Sequence, residues 1–473
     1  MRSKIFALFV TAVLIAASNL NAADAAKSTI EDQRSVEVTV YNNNLGLIKE
    51  VREVKLPKGQ GELRFMDVPS YINPVTVRTR SLNAAKAFTV LEQNYEYDLI
   101  NSDKLLDKYV GKKIKLIEWN AYKDRKEIVE AELLSNNDGQ IFRIDTEIYL
   151  GHPGYKIVPE IPENLIAKPT LTWLYENDAA SAHNLEVPYL TRSISWKADY
   201  VLVIDKDDKK AGISGWVTID NKSGAAYNNA SLKLVAGEVN IAKQEDLYEQ
   251  ERFVRTKEAK KEQFEERGFF EYHIYDLGRK TTIKDKQTKQ ISLLEANGIG
   301  LEKEYVVYGS ATYFNRRYRE ENPKQPVNVY FKFKNSKKNN LGTPLPGGIM
   351  RMYKEDEKKS LQFIGEDKVE HTPKDEEARL KAGEAFDIVV ERVQTDYKAI
   401  TTILHETEWE ITLKNHKEED ATINIVEPVY GNWKVVSSSN PYKKVDAFTL
   451  KYEVIVPKDK EVKVKYRIRA GLE

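Results

Sequence analysis

From Val36 onward the chain alternates apolar and polar residues with a period of two. Val36, Val38 and Val40 are separated by Glu37 and Thr39, and residues 51–56, 62–65 and 75–80 continue the pattern. A strand places successive side chains on opposite faces, so this period predicts sheets with one wet face. In residues 51–56 the alternation sets Arg52 and Lys55 as the polar positions. Between the strands stand Asn42-Asn43-Asn44, Pro57-Lys58-Gly59 and Asn73-Pro74, residue types that tolerate a left-handed backbone or supply a fixed φ. Residues 30–98 are read as an N-terminal β domain.

A second block, 99–168, carries short strands at 112–118, 126–134 and 140–144. The last two are joined by Asn136-Asn137-Asp138-Gly139, a hairpin signal because Asp-Gly suits a type I′ loop. Several short strands in so small a span predict a small closed β-barrel. A third region, 169–241 and 268–473, reads as strands at 269–277, 290–294, 305–308, 327–333, 349–353, 386–393, 400–414, 421–426, 448–456 and 461–469. Frequent turns without a βαβ rhythm predict antiparallel β-sandwiches. Between its two parts, residues 242–267 are rich in Lys, Glu and Gln, and their main apolar residues are Leu247, Val254 and Phe264. That stripe is too thin to dock firmly, so a charged helical or flexible insertion is expected. The fold class expected is therefore all-β and multidomain: antiparallel sandwiches, a small barrel and one charged helical insertion.

The N-terminus departs from the alternation. Arg2 and Lys4 precede an apolar run over 5–17 broken only by Thr11, followed by Leu20-Asn21-Ala22-Ala23-Asp24-Ala25. This pattern predicts a signal peptide over 1–22, since the run is too short to cross a hydrocarbon core of about 30 Å. No later stretch predicts a transmembrane segment. The chain has no cysteine, which excludes disulfides, thiol nucleophiles, Cys-ligated zinc, iron–sulfur clusters and lipidation of a mature N-terminal cysteine. The expected product is an exported, soluble, periplasmic or extracellular protein that is not a lipoprotein. Lys and Arg total 73 against 73 Asp and Glu, and this balance leaves no bulk field to attract nucleic acid.

Candidate chemistry is sparse. The 6 histidines include no pair at helical metal-ligand spacing, and in His405-Glu406-Thr407-Glu408 the next residue is Trp409, where a zinc hydrolase needs its second histidine. Asp205-Lys206-Asp207-Asp208-Lys209-Lys210 has the acid density of a calcium loop, but Lys210 and Val217 occupy the positions that require Gly and a bidentate acid. A charged hairpin tip is expected there. Gly212-Ile213-Ser214-Gly215 lacks the spacing of a nucleophile elbow, and Gly59-Gln60-Gly61 and Gly298-Ile299-Gly300 lack the third glycine of a phosphate cradle. No metal, cofactor or catalytic residue is assigned. Glu366-Asp367 and Asp375-Glu376-Glu377 flank His371 in an expected loop; Glu366, Asp367, His371, Asp375 and Glu376 are the candidate ligand or interaction residues. Paired acids are also what a glycosidase requires.

Extended motifs support a resemblance. Val187-Pro188-Tyr189-Leu190, Ser195-Trp196-Lys197-Ala198-Asp199-Tyr200, Gly215-Trp216-Val217-Thr218, Asn221-Lys222-Ser223-Gly224 and Leu232-Lys233-Leu234-Val235-Ala236-Gly237 form one series. Pro344-Leu345-Pro346-Gly347-Gly348, Gly365-Glu366-Asp367, His371-Thr372-Pro373, Gly383-Glu384-Ala385-Phe386-Asp387, Asn432-Trp433-Lys434 and Tyr442-Lys443-Lys444-Val445-Asp446-Ala447 form another. Together they resemble a bacterial family of exported proteins carrying a domain of unknown function shared with mucoidy inhibitor A proteins, as a shorter member without the long central coiled coil. The resemblance implies an envelope or exopolysaccharide connection and transfers no catalytic residue. Within the motifs Trp196, Asp199, Trp216 and Trp433 are read as structural, with Trp196 sharing a face with Ala198 and Tyr200 as a core anchor. The glycines of residues 344–348 are read as supplying unusual φ values in a tight turn. The expected function is a non-enzymatic binding or assembly protein whose partner is an envelope protein or polysaccharide; the alternative is a carbohydrate-active hydrolase using the acids near His371.

Overall fold

The structure, a computed structural model, describes residues 25–471 apart from 121–123, 153, 163–164, 180, 238–263, 270–271, 319–322 and 357. The expected signal peptide over 1–22 and residues 242–263 of the expected insertion lie outside the described residues. The fold is 64% strand and 5% helical, which establishes the all-β class. No helix among the described residues is long and apolar enough to cross a membrane. The chain divides into two compact units, one of residues 1–35 and 49–189, the other of residues 36–48 and 190–473.

In the first unit a four-stranded sheet runs in the order Ala26–Ser28, Gly59–Met66, Thr170–Asn177, Phe88–Glu96. Its buried face carries Leu63, Phe65, Leu171, Trp173 and Tyr175. A five-stranded sheet runs in the order Glu147–Leu150, Ile141–Ile144, Arg125–Ser135, Lys113–Asn120, Tyr155–Ile157. The expected hairpin is present, with Asp138 at φ 55° and Gly139 at φ 127°. The expected barrel is not, because this sheet stays open. Its two edges are short strands, and its one buried face, formed by Ile114, Leu116, Ala131, Leu133 and Phe142, is already covered by Leu106 and Tyr109. Leu106 belongs to the Ser102–Asp107 helix, whose start is capped by Asn101 accepting from the Lys104 amide at 2.9 Å. With that cover closure is unnecessary, and the opposite face leaves Ile128 and Tyr155 60% and 83% exposed.

In the second unit a five-stranded sheet runs in the order Gln287–Gly300, Lys210–Asn221, Ile194–Ile204, Gly348–Glu355, Leu361–Val369. Its central pair, Ile194–Ile204 with Gly348–Glu355, is parallel, with Ala198 opposite Gly348. Here the structure corrects the reading of the turn. Gly347 and Gly348 are not among the left-handed residues, which at this point of the chain are Asn340 and Gly342. Gly348 is required for another reason: a Cβ there would lie 2.1 Å from the Ala198 carbonyl oxygen. The end of the expected insertion is corrected as well, since residues 264–267 begin the Phe264–Phe269 strand, paired antiparallel with Tyr272–Leu277. A ladder partner outweighs the charged composition of that segment.

Two further sheets of this unit form a sandwich. One sheet runs Glu377–Glu384, Asn328–Lys334, Glu302–Tyr308, Ala421–Pro428, Thr449–Val456, Tyr442–Lys444; the other runs Lys324–Gln325, Ile388–Ala399, Leu404–Asn415, Lys460–Gly471, Asn432–Ser438. Their inner faces share one core containing Trp409, Ile411, Ile423, Ile425, Tyr452, Tyr466 and Ile468. On the outer face of the second sheet Glu406, Glu408 and Glu410 stand opposite Arg469, Arg467 and Lys465. The alternation read in the sequence thus becomes an acidic rail beside a basic one.

Candidate functional site

Glu366 and Asp367 lie on the Leu361–Val369 strand rather than in a loop. Being consecutive, they leave it on opposite faces. Glu366 pairs with Arg351 Nε at 3.2 Å, and Asp367 Oδ2 accepts from the Lys381 amide at 2.6 Å. His371, Asp375 and Glu376 follow in the turn beyond, where Asp375 adopts φ 67°. His371 Nδ1 accepts from the Gly347 amide at 3.1 Å. The turn is held from beneath by Asn335, fully buried, whose side-chain nitrogen donates to the carbonyls of Thr343, Thr372 and Pro373 at 2.8, 3.1 and 3.0 Å. Its oxygen accepts from the Gly342 amide at 2.9 Å. The five candidate residues are therefore dispersed over a strand and a scaffolded turn. No group of three acids or histidines suited to a metal occurs among the described residues.

One member of that set shares a sheet face with two residues read as structural. Asp199, Trp216 and Glu366 fall on the same face of the five-stranded sheet. A polar row crosses all its strands: Gln290 Nε2 donates to Thr218 Oγ1 at 3.2 Å, Thr218 Oγ1 donates to Asp199 Oδ2 at 2.8 Å, and Arg351 spans from Asp199 Oδ1 at 3.3 Å to Glu366. Lys197 Nζ adds a longer contact to Asp199 at 3.7 Å. Trp216 stands opposite Asp199 in the register and is 42% exposed. It is not a core anchor. Trp196, on the reverse face, is one: it is 3% exposed and its Nε1 donates to the Val235 carbonyl at 3.0 Å. Beside it Tyr200 donates to the Pro346 carbonyl at 2.8 Å, and burial drives its hydroxyl pKa upward.

Trp433 sits at the end of the sandwich. Its Nε1 donates to the Ala447 carbonyl at 2.7 Å, and Lys444 Nζ lies 4.3 Å from the ring centroid. The indole itself packs against the sandwich core, while residues 432–434 join Ile403, Leu404 and Arg469 in lining an open groove of about 420 Å³. Next to it the charged rails are tightly paired. Arg469 holds Glu406 through Nε and Nη2 at 2.9 and 2.8 Å, and Arg467 reaches Glu408, Glu406 and Asp396. A hydrogen bond from Lys465, together with Thr395 and Arg467, draws the Glu408 pKa down to about 2 despite an opposing effect of burial.

At the Asp205–Asp208 hairpin tip two of the acids, Asp205 and Asp208, are occupied within the protein. Asp205 Oδ1 accepts from the Lys209 and Lys210 amides, and Asp208 is held by Lys303 at 2.7 Å and Lys354 at 2.5 Å.

Two buried charge clusters escaped the sequence reading. In the first unit Arg52, set among the polar positions above, is 0% exposed. Its Nε lies 3.0 Å from Glu50, its Nη1 donates to the Ser28 and Met66 carbonyls, and its guanidinium covers the Phe65 ring at 3.7 Å. Tyr189 and Gln33 complete the carboxylate's partners at 3.0 and 2.8 Å. In the second unit Arg392, Glu427 and Tyr466 repeat this chemistry inside the sandwich core. The signal was phase: Arg52 stands two residues from Val54, and Arg392 two from Val390, each in step with buried apolar positions. Compared with known proteins, the chain matches no family model and no curated protein.

Proposed function

We propose that this chain is an exported, non-enzymatic binding or assembly protein of the bacterial cell envelope, of the kind suggested by its resemblance to mucoidy inhibitor A proteins. Export is supported by the basic-then-apolar N-terminus, and the absence of cysteine makes a fold that depends on sheet packing alone. The observation that carries the binding reading is Trp216, 42% exposed on a sheet face beside Asp199. The row Gln290, Thr218, Asp199, Arg351 and Glu366 fixes hydrogen-bonding groups around it. A large, stiff aromatic surface among oriented polar groups is suited to a glycan or a protein partner. The acids near His371 lend no support to hydrolysis: Glu366 and Asp367 face away from each other, and each is engaged with a cation or a backbone amide.

The test is affinity capture from envelope extract by the mature protein beside Trp216→Ala and Arg351→Ala variants. Retention of a glycan or protein by the parent chain, reduced in both variants, is the expected result. If the parent retains neither, the proposal fails.

A further inference from the structure

The five-stranded sheet of the first unit turns one face to Leu106 and Tyr109 and leaves the other open. Ile114 and Leu116 point to the covered side, so by alternation Lys115, Ile117 and Trp119 share the open face. Ala131 and Leu133 place Lys126, Ile128 and Glu130 there in the same way. In the register of Lys113–Asn120 with Arg125–Ser135, Ile117 lies opposite Ile128, Trp119 opposite Lys126 and Lys115 opposite Glu130. On the adjoining edge strand Tyr155 lies opposite Ile117, and Ile157 opposite Lys115. Trp119, Ile128, Tyr155 and Ile157 are all exposed. A contiguous apolar cluster left open inside a charged rim marks an interaction surface.

The rim selects the partner. Lys126 has no ion pair among the described residues, and Glu130 has only a loose one, 3.9 Å from Lys113 Nζ. An anionic lipid surface calls for cations alone around the patch, and here an acid stands among them. A sugar calls for an aromatic platform, and here the centre is aliphatic. The face is instead complementary to itself. Turned over about an axis along the Tyr155, Ile117 and Ile128 row, a second copy sets its Ile117 on Ile117 and its Ile128 on Ile128. Each strand is reversed about that row, so Lys126 meets Glu130 of the second copy and Trp119 meets its Lys115, each contact occurring twice by symmetry. We infer that this face pairs with the same face of a second copy of the chain, in that register. A contact over three strands falls at the low, transient end of interface sizes, so the pair is reversible and concentration-dependent. The inference is independent of the Trp216 face.

The experiment is sedimentation velocity at low salt on the mature chain, from about 1 μM to about 1 mM. It is repeated on Ile128→Glu, Lys126→Glu and Glu130→Lys variants whose circular dichroism and melting match the parent. A reversible dimer is expected for the parent and none for Ile128→Glu. Lys126→Glu and Glu130→Lys each set like charges against one another at both contacts, and each alone should weaken dimerisation by about tenfold or more. An equimolar mixture of these two variants restores opposite charges at both contacts and should dimerise as the parent does. A parent that stays monomeric over the whole range overturns the inference, as does a dimer that Ile128→Glu leaves intact. Charge variants that dimerise like the parent, or a mixture that fails to recover, overturn the register.

Discussion

Arg392 Nη1 lies 2.5 Å from Glu427 Oε1, and both side chains are 0% exposed. Tyr466 donates to the same carboxylate oxygen at 2.8 Å, and the Arg392 guanidinium stands over Tyr313 and Trp409. Burial alone would lower the Arg392 pKa, but Glu427 outweighs it and drives that pKa upward. Removing one partner leaves a bare charge in the core, whereas removing both leaves a packing problem. Glu427→Ala is expected to lower the unfolding free energy by about 3–5 kcal/mol, and the Arg392→Met, Glu427→Leu double variant to recover most of that loss. Urea denaturation measures both, and a double variant no more stable than the single one would contradict the account.

Gly309 is tied to the same carboxylate. A Cβ at this position would lie 1.8 Å from Glu427 Oε2, and that oxygen cannot swing away while Arg392 and Tyr466 hold its partner. Gly309→Ala is expected to cost about 1–3 kcal/mol as an overpacking change. In the Glu427→Leu, Arg392→Met background the cost should differ, because residues in contact do not act additively. A cycle that closes to additivity would mean the two positions are uncoupled.

Asn335 closes the His371 turn with three donated bonds and one accepted bond. The Thr372 and Pro373 carbonyls also accept from the Leu345 and Glu376 amides, so Asn335→Ala leaves the Thr343 carbonyl and the Gly342 amide short of a partner and is expected to destabilise by about 1–3 kcal/mol. Asn335→Asp should be worse, since a carboxylate would face the same three oxygens. Thermal melting of both variants checks the order.

The charged rails predict a pH dependence. Glu408 titrates at about 2 in the folded chain against an ordinary value of 4.5, and Arg469 first and then Arg467 lower Glu406 as well. A depressed folded pKa contributes stability that is fully present above the unfolded value and disappears as pH falls through the folded one. The slope of stability against pH should therefore be steep between about 4.5 and about 2 in the parent and flatter in Glu408→Gln, which should also be less stable at neutral pH. Added salt should narrow the difference, since these groups are partly exposed. Parallel acid-unfolding curves for parent and variant would count against the pairing.

Local features were legible in the sequence where chemistry acts over a few residues. The Asp138-Gly139 hairpin and the burial of Trp196 with Ala198 and Tyr200 followed from turn preference and alternation. Trp216 was not separable from Trp196, because both sit in alternating runs and only the register, Asp199 opposite Trp216, shows which face is open. The meeting of Asp199 with Arg351 and Glu366 was out of reach, since it depends on a parallel pairing between segments far apart in the chain. The open sheet in place of a barrel turned on a helix supplying the cover. The buried Arg52 and Arg392 stood in apolar phase all along, and reading charge as exposure hid them.

That parallel pairing also orders the assembly of the Trp216 face. A nascent chain ending before Gly348 already contains Asp199, Thr218 and Trp216, yet it has neither Arg351 nor Glu366, and the Ile194–Ile204 strand presents an unpaired edge. Non-local pairing of this kind is reached late in folding. The surface proposed to meet a partner is thus completed among the last steps, so a truncated or half-folded chain would show a sticky edge where the finished one shows a polar row.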